Sequence, residues 1–291
     1  MNTWFGRLLI WVVIVALITA IERLESLTPD EFDGPRRPLP PAGEAWWNSR
    51  SLGPPTGPTP TEPAYEMWVQ DAQRKGDSIG TAFQVAPGTW VTAGHVLENC
   101  ATAYVRIRGQ WQGFKHFTIH PVADVAIATM ELRDLAPRID VTARLPVMNQ
   151  TGFHFGYPQG TPSSVYTRFV GMARVRLGGP GTPVEQGWVW VEQRRDPPGF
   201  GSLGGISGGP QVDRTGAVQG VTVLHSEKAA RVVTTPISRL REILPADVPI
   251  VDAGPTSIDG IDYIGQGRRV RDSGAVSLVF CSVSGRTRPR S

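Results

Sequence analysis

The pattern of apolar and polar positions changes character twice along the chain. Residues 8–21 form an unbroken apolar run, LLIWVVIVALITAI, with Arg7 before it and Glu22, Arg23 and Glu25 after it. The run is short for a membrane-spanning helix, but Trp4 and Phe5 extend it toward the ~17–20 residues a bilayer requires if Arg7 snorkels to the interface. Positive charge ahead of it and acids behind it predict a cytoplasmic amino terminus and an exported remainder. Ile18-Thr19-Ala20 is the best available signal-peptidase sequence and no A-x-A-like site stands after the run, which favours an uncleaved anchor over residues 1–23. Residues 24–63 then turn to proline, glycine and polar side chains, as in GPRRPLPP at 34–41 and LGPPTGPTPTEP at 52–63. Such a stretch buries too little apolar surface to fold, and at ~3 Å per residue it can hold the remainder of the chain up to ~100 Å from a membrane.

From Tyr65 the apolar positions fall into short runs separated by turn residues, the signature of strands. Residues 65–69, 78–85, 89–93, 104–107, 114–119 and 125–130 read as a first group. A second comprises residues 152–160, 165–170, 172–177 and 189–192, followed by a strand, turn and strand over 211–224. Residues 235–244 fit a helix with apolar positions at 237, 240, 243 and 244 and Thr235 as a cap ahead of Pro236. After residue 245 the pattern weakens, with strands expected over 259–263 and 275–283. The organisation expected is an anchor over 1–23, a linker over 24–63, a folded domain over 64–245 and an extension over 246–291.

Composition narrows the classes. At 291 residues, 40% hydrophobic and with 33 glycines, the chain suits a globular protein rich in strands and turns. Its net charge of +3 is small, its lysines are only Lys75, Lys115 and Lys228, and no basic face carries interleaved aromatics, so nucleic acid is not an expected partner. No His/Cys/Asp cluster has metal-site spacing and no glycine loop of phosphate-binding type follows a strand, so neither metal nor cofactor is expected.

The candidate chemistry lies in Gly205-Ile206-Ser207-Gly208-Gly209-Pro210, where one serine stands among glycines whose N–H groups can crowd around a reacting oxygen. A serine hydroxyl needs a general base, an orienting carboxylate and an oxyanion site. Thr92-Ala93-Gly94-His95 supplies a histidine at the end of an apolar run, and Ala123-Asp124-Val125-Ala126 a carboxylate. Taken singly, each has a plainer reading: a turn serine, a core or surface histidine, a solvating strand-edge aspartate. The G-x-S-x-G string also describes the nucleophile elbow of α/β-hydrolases. That elbow opens a helix and precedes its acid and histidine, whereas a strand and turn follow Ser207 and only His225 lies downstream.

These three blocks, in the order His, Asp, Ser, resemble those of the trypsin-like (chymotrypsin-fold) serine peptidases, and their spacing is similar to that of compact bacterial HtrA-like members. The resemblance covers about residues 78–244. It implies an all-β fold of two six-stranded antiparallel β-barrels with a closing C-terminal helix, here preceded by one N-terminal transmembrane helix. It further implies His95 as general base, Asp124 as its orienting acid, Ser207 as nucleophile, and the N–H groups of Gly205 and Ser207 as the oxyanion hole. Ile206 stands where animal digestive members carry an aspartate, so activation by an ion pair to a new amino terminus is not expected. The base of the substrate pocket falls near Gly201 and Ser202 and its wall at Thr222, Val223 and Leu224. With no acid there, a small or medium apolar side chain is the expected preference; His225 offers an alternative bias of the pocket toward acidic residues, but its place at the strand end favours a surface histidine.

Cys100 and Cys281 are the two cysteines. In an exported domain they are a possible disulfide, two buried thiols being the alternative. The tail is too short for the PDZ domain many HtrA-like proteins carry. The function expected is a membrane-anchored serine endopeptidase, periplasmic or extracellular, acting on protein or peptide substrates; a non-catalytic binding protein on the same fold and an esterase are the alternatives. Nothing in the pattern sets an oligomeric state.

Overall fold

The computed structural model describes residues 65–69 by their backbone, and residues 76–131, 136–177, 184–199, 202–227 and 229–285 in full. The expected anchor and linker therefore lie outside the described residues. Among the described residues no helix is long and apolar enough to cross a membrane.

Strand β1 (Tyr65–Val69) is followed by β2 (Ser78–Ala86), β3 (Thr89–Thr92), a one-turn helix α1 (Gly94–Leu97), β4 (Thr102–Ile107), β5 (Gln110–Gly113), β6 (His116–Ile119) and β7 (Ala126–Thr129). Then come β8 (Val141–Thr142), β9 (Thr151–Gly156), a 3₁₀ turn at Pro158–Gly160, β10 (Ser163–Leu177), β11 (Val184–Asp196), β12 (Pro210–Val212), β13 (Val218–Ser226), β14 (Arg231–Pro236), α2 (Ile237–Arg241), β15 (Ile250–Val251), α3 (Tyr263–Asp272) and β16 (Val276–Ser282).

The second half closes on itself. β9, β10, β11, β14, β13 and β12 pair in that order and β12 returns to β9, giving a six-stranded barrel. Closure removes every edge that would otherwise expose unpaired N–H and C=O groups. Phe169 and Trp190 lie 5.0 Å apart in its interior, while on its outer face Phe153 stacks on Tyr166 at 5.6 Å and on Tyr263 of α3 at 6.0 Å.

The first half is a seven-stranded sheet in the order β5-β4-β16-β2-β3-β7-β6. No ladder joins its end strands, so the expectation of two six-stranded barrels holds for the second half, while the first is a curved sheet. Its two edges are consecutive in the chain. Between them Phe114 N–H donates to Ala103 O of β4 and Lys115 N–H to Thr129 O of β7, so one bent run serves both ends of the sheet. β2 is buried along nearly its whole length, because one face fills the sheet's concave side and the other meets the barrel. Val96, Leu97 and Val279 pack there in one cluster with Val189, Val223 and Val233 of the barrel.

The tail is part of this architecture. β16 pairs with β2 on one side and β4 on the other, so residues read from sequence as an extension supply an interior strand. The strand expected at 259–263 leads instead into helix α3, whose glycines at 265 and 267 blur the apolar period. The packing requires one of them: a Cβ on Gly267 would come within 2.1 Å of Ser164 Oγ. The closing helix is one turn, α2, shorter than expected. Thr235 still belongs to β14, and its hydroxyl donates to Asp124 O at 3.3 Å instead of capping the helix.

Candidate active site

β3 ends at Thr92, and the chain turns through Ala93 into α1, which carries His95 at its start. Asp124 lies in the connection before β7 and reaches His95 twice. Its Oδ1 accepts the main-chain N–H of His95 at 2.8 Å, and its Oδ2 accepts Nδ1–H at 2.6 Å. The aspartate side chain is 4% exposed and the histidine 19%. This pairing makes Nδ1 the protonated ring nitrogen, which leaves Nε2 as the basic one.

The loop around Asp124 is held by two residues that sequence reading missed. The Nδ1 of His120 accepts N–H groups of Val122 and Ala123 at 3.2 and 3.0 Å, which fixes Nε2 as the donor to Glu242 Oε2 at 2.9 Å, just past α2. On the other side, Glu185 Oε2 accepts the main-chain N–H of Asp124 at 2.9 Å. Burial first, and then the charge of Asp124, push the Glu185 carboxyl up to about 7. The place of His120, four residues before Asp124, is the one signal that could have found it; nothing in the local sequence marks Glu185, which joins the site across the fold.

Ser207 rides on two consecutive turns. Ile206 N–H donates to Leu203 O and Gly209 N–H to Ile206 O, both at 2.9 Å, and each turn has a glycine as its third residue with positive φ, Gly205 at 100° and Gly208 at 87°. That position in a type II turn favours glycine, which reaches positive φ with no Cβ to clash, and this explains the spacing of the glycines around the serine. The turns are clamped between the two halves of the molecule. Thr81 N–H donates to Ser207 O at 2.8 Å, and the Thr81 hydroxyl to Gly205 O at 2.8 Å. A Cβ on Gly208 would lie 2.0 Å from Thr81 O and 2.2 Å from Thr92 Oγ1, and one on Gly209 would lie 2.3 Å from Phe155 O. The double glycine is therefore the point at which the nucleophile turn meets both β3 and β9, and it brings Ser207 beside the strand that leads to His95. The hydroxyl of Ser207 donates to Val223 O at 3.3 Å. Neither Gly205 N–H nor Ser207 N–H takes part in the hydrogen bonds of the turns among the described residues.

The expected pocket residues separate. Gly201 lies outside the described residues. Ser202 is exposed, and its Oγ accepts Gly204 N–H at 3.1 Å. Val223 is buried and presents its carbonyl to Ser207, and Leu224 is half-buried. Thr222, expected as wall, turns its side chain into the barrel, where its hydroxyl meets Nδ1 of His154 at 2.9 Å. The Thr167 hydroxyl donates to Gly152 O, so it must accept from His154 Nε2 at 3.0 Å, and Thr222 is then the donor to Nδ1. His154 is a fully buried neutral imidazole, lowered by that burial to about 3. His225, expected at the surface, has a side chain 3% exposed and held 3.3 Å from Glu192 Oε2. Burial alone would raise Glu192, but hydrogen bonds from His225 and Arg195 outweigh it and hold the carboxyl at about 2. Cys100 and Cys281 form a disulfide with a Cα–Cα distance of 5.5 Å, joining the segment after α1 to β16.

No protein-family model matches the sequence, and no curated protein matches it. Solved structures do. The Rv3671c protease of M. tuberculosis in its active form superposes with a TM-score of 0.51 at 18% identity, covering 69% of this chain and 98% of that one. The HtrA-type protease AlgW with a decapeptide gives 0.46 at 18% identity over 56% of this chain and 50% of that one. The MamO protease domain of Magnetospirillum magneticum gives 0.43 at 19% identity over 58% and 95%. The first of these likenesses establishes a shared fold, the two-halved β architecture of a protease.

Proposed function

We propose that the chain is a serine endopeptidase in which Ser207, His95 and Asp124 form the triad that hydrolyses peptide bonds. The observation that carries this reading is Asp124's double hold on His95, through main-chain N–H and Nδ1–H, which leaves Nε2 unprotonated and fixed in orientation. A catalytic base needs a defined tautomer and a defined direction, and the two bonds to Asp124 supply both.

In the reaction Ser207 Oγ leaves its hydrogen bond to Val223 O and gives its proton to His95 Nε2 as it attacks the scissile carbonyl. The oxyanion that forms is met by the N–H groups of Gly205 and Ser207. His95 then passes the proton to the leaving amine, and water, activated by the same nitrogen, hydrolyses the acyl-enzyme. Ile206 is 1% exposed within the core, which leaves no acid at that position to pair with a new amino terminus. The pocket wall is the Val223–Leu224 backbone with apolar side chains, in keeping with a small or medium apolar residue before the cleaved bond.

The enzyme acts outside the cytoplasmic membrane, tethered by residues 8–21 through the Pro-rich linker. Supporting this are the charge asymmetry about the apolar run and the Cys100–Cys281 disulfide, a bond that persists in oxidising compartments. A fluorophosphonate reagent tests the chemistry: it should label the wild-type protein and leave Ser207→Ala unlabelled. Failure to label the wild type, or equal labelling of the variant, removes Ser207 as nucleophile.

A further inference from the structure

Besides Asp124, the site contains a second acid to which the proposed chemistry gives no part. Glu185, the second residue of β11, is 8% exposed, and its Oε2 takes the Asp124 main-chain N–H at 2.9 Å. The Thr235 hydroxyl donates to Asp124 O at 3.3 Å, so both main-chain polar groups of Asp124 are held, the N–H by Glu185 and the carbonyl by Thr235. The other oxygen of Glu185, Oε1, is buried and has no hydrogen-bond partner among the described residues. The charged groups facing it are Asp124, from the loop ahead of β7, and Arg239, from α2. An acid with an orphan oxygen, buried beside another acid, weakens a fold compared with a neutral residue of the same shape, which points to a use beyond packing.

We propose that Glu185 is a positioning residue of the triad: it fixes the Asp124 peptide through that N–H, and its charge state sets how firmly His95 holds a proton. The inference rests on the reading of His95, Asp124 and Ser207 as a catalytic triad. The carboxyl changes charge near neutrality, since burial and the Asp124 charge push it up to about 7. Protonated, Glu185 is a neutral acceptor, and Asp124 alone faces the imidazole. Ionised, it adds a second negative charge that favours the imidazolium, so His95 keeps its proton to higher pH. The coupling is reciprocal: protonating His95 favours ionised Glu185.

The test uses the full-length chain with ¹⁵N-labelled histidine and Ser207→Ala, following the His95 ring from pH 5 to 9 with and without Glu185→Gln. Glutamine keeps an acceptor for the Asp124 N–H and removes the charge. His95 is expected to release its proton at lower pH in the glutamine variant, by roughly half to one pH unit. Superimposable His95 titrations overturn the proposal. In the active protein, Glu185→Gln should move the acid limb of kcat/KM the same way while keeping kcat within about threefold. Glu185→Ala, which also orphans the N–H, should lower kcat by about tenfold with KM little changed. An unmoved pH profile in both variants reduces Glu185 to a packing residue. If the parent fails to react with fluorophosphonate, the peptidase reading falls, while the ring titration still decides the coupling between Glu185 and His95.

Discussion

The pH dependence of folding is set chiefly by two buried groups, His154 and Glu185, and the half-buried Glu192, and the clearest perturbation is the removal of His154. Folding moves this imidazole from 6.5 to about 3. Below 6.5 the unfolded chain takes up a proton that the folded protein refuses, so stability is lost as pH falls from 6.5 toward 3, by ~1.4 kcal/mol per pH unit and up to ~5 kcal/mol in all. Glu185 works in the opposite sense. Its folded value of about 7 lies above the ordinary 4.5, so the folded protein holds the extra proton, and stability is lost as pH rises from 4.5 through 7. Between 4.5 and 6.5 the two slopes offset one another. Below 4.5 Glu185 no longer differs between the states, and Glu192, held down at about 2, adds its own loss to that of His154. The expected curve is a plateau between about pH 4.5 and 6.5, with a fall on the acid side steeper than the ~1.4 kcal/mol per unit that His154 gives alone. Urea unfolding of the Ser207→Ala protein, which cannot digest itself, measures it at pH 7, 6.5, 5.5, 4.5 and 3.5. In His154→Gln the plateau should become a slope, with stability rising by ~3 kcal/mol as pH falls from 6.5 to 4.5, whatever the constant cost of the substitution. Parallel curves for the two proteins would refute the argument, because they would mean that the unfolded and folded states bind protons alike at His154.

Four further outcomes are expected. Ser207→Ala should reduce peptide hydrolysis by ~10⁴-fold or more with an unfolding midpoint near that of the parent, and a smaller loss would assign the nucleophile elsewhere. Gly208→Ala forces a Cβ to 2.0 Å from Thr81 O at a φ of 87°, and should cost ~3 kcal/mol or more in denaturant unfolding together with fluorophosphonate labelling; a change below ~0.5 kcal/mol would show that the turn is not clamped to β2. Opening the disulfide, which closes 181 residues of chain, should lower stability by ~2–5 kcal/mol in reducing buffer, with Cys100→Ser/Cys281→Ser matching the reduced parent. A reporter that is active only after export, fused after Pro63, should be active and stay with the membrane fraction; activity in a soluble fraction would mean a cleaved signal peptide, and an inactive fusion would overturn export.

What the sequence determined by itself was local: the strand-rich pattern, the turn around Ser207 and the residue types at 95, 124 and 207. A turn that demands positive φ at fixed positions writes its glycines into the chain, so Gly205 and Gly208 were legible from the residues alone. The reason for the adjacent Gly209 was not, since it depends on the approach of Phe155 O from a strand more than fifty residues away. The same distinction separates the missed residues from those found. His120 and Glu185 act on main-chain N–H groups near Asp124, and hydrogen bonds to backbone leave no motif in the residues that receive them. His225 and Thr222 looked like pocket or surface residues because strand alternation gives two faces without saying which is interior. The register of β13 against β14, with a shift between Thr222 and Leu224, decides it and turns Thr222 toward His154. β16 was recognisable as a strand, but its place between β2 and β4 was not, because pairing across some two hundred residues is chosen by closing the sheet and burying both its faces, a choice that only the assembled fold can make.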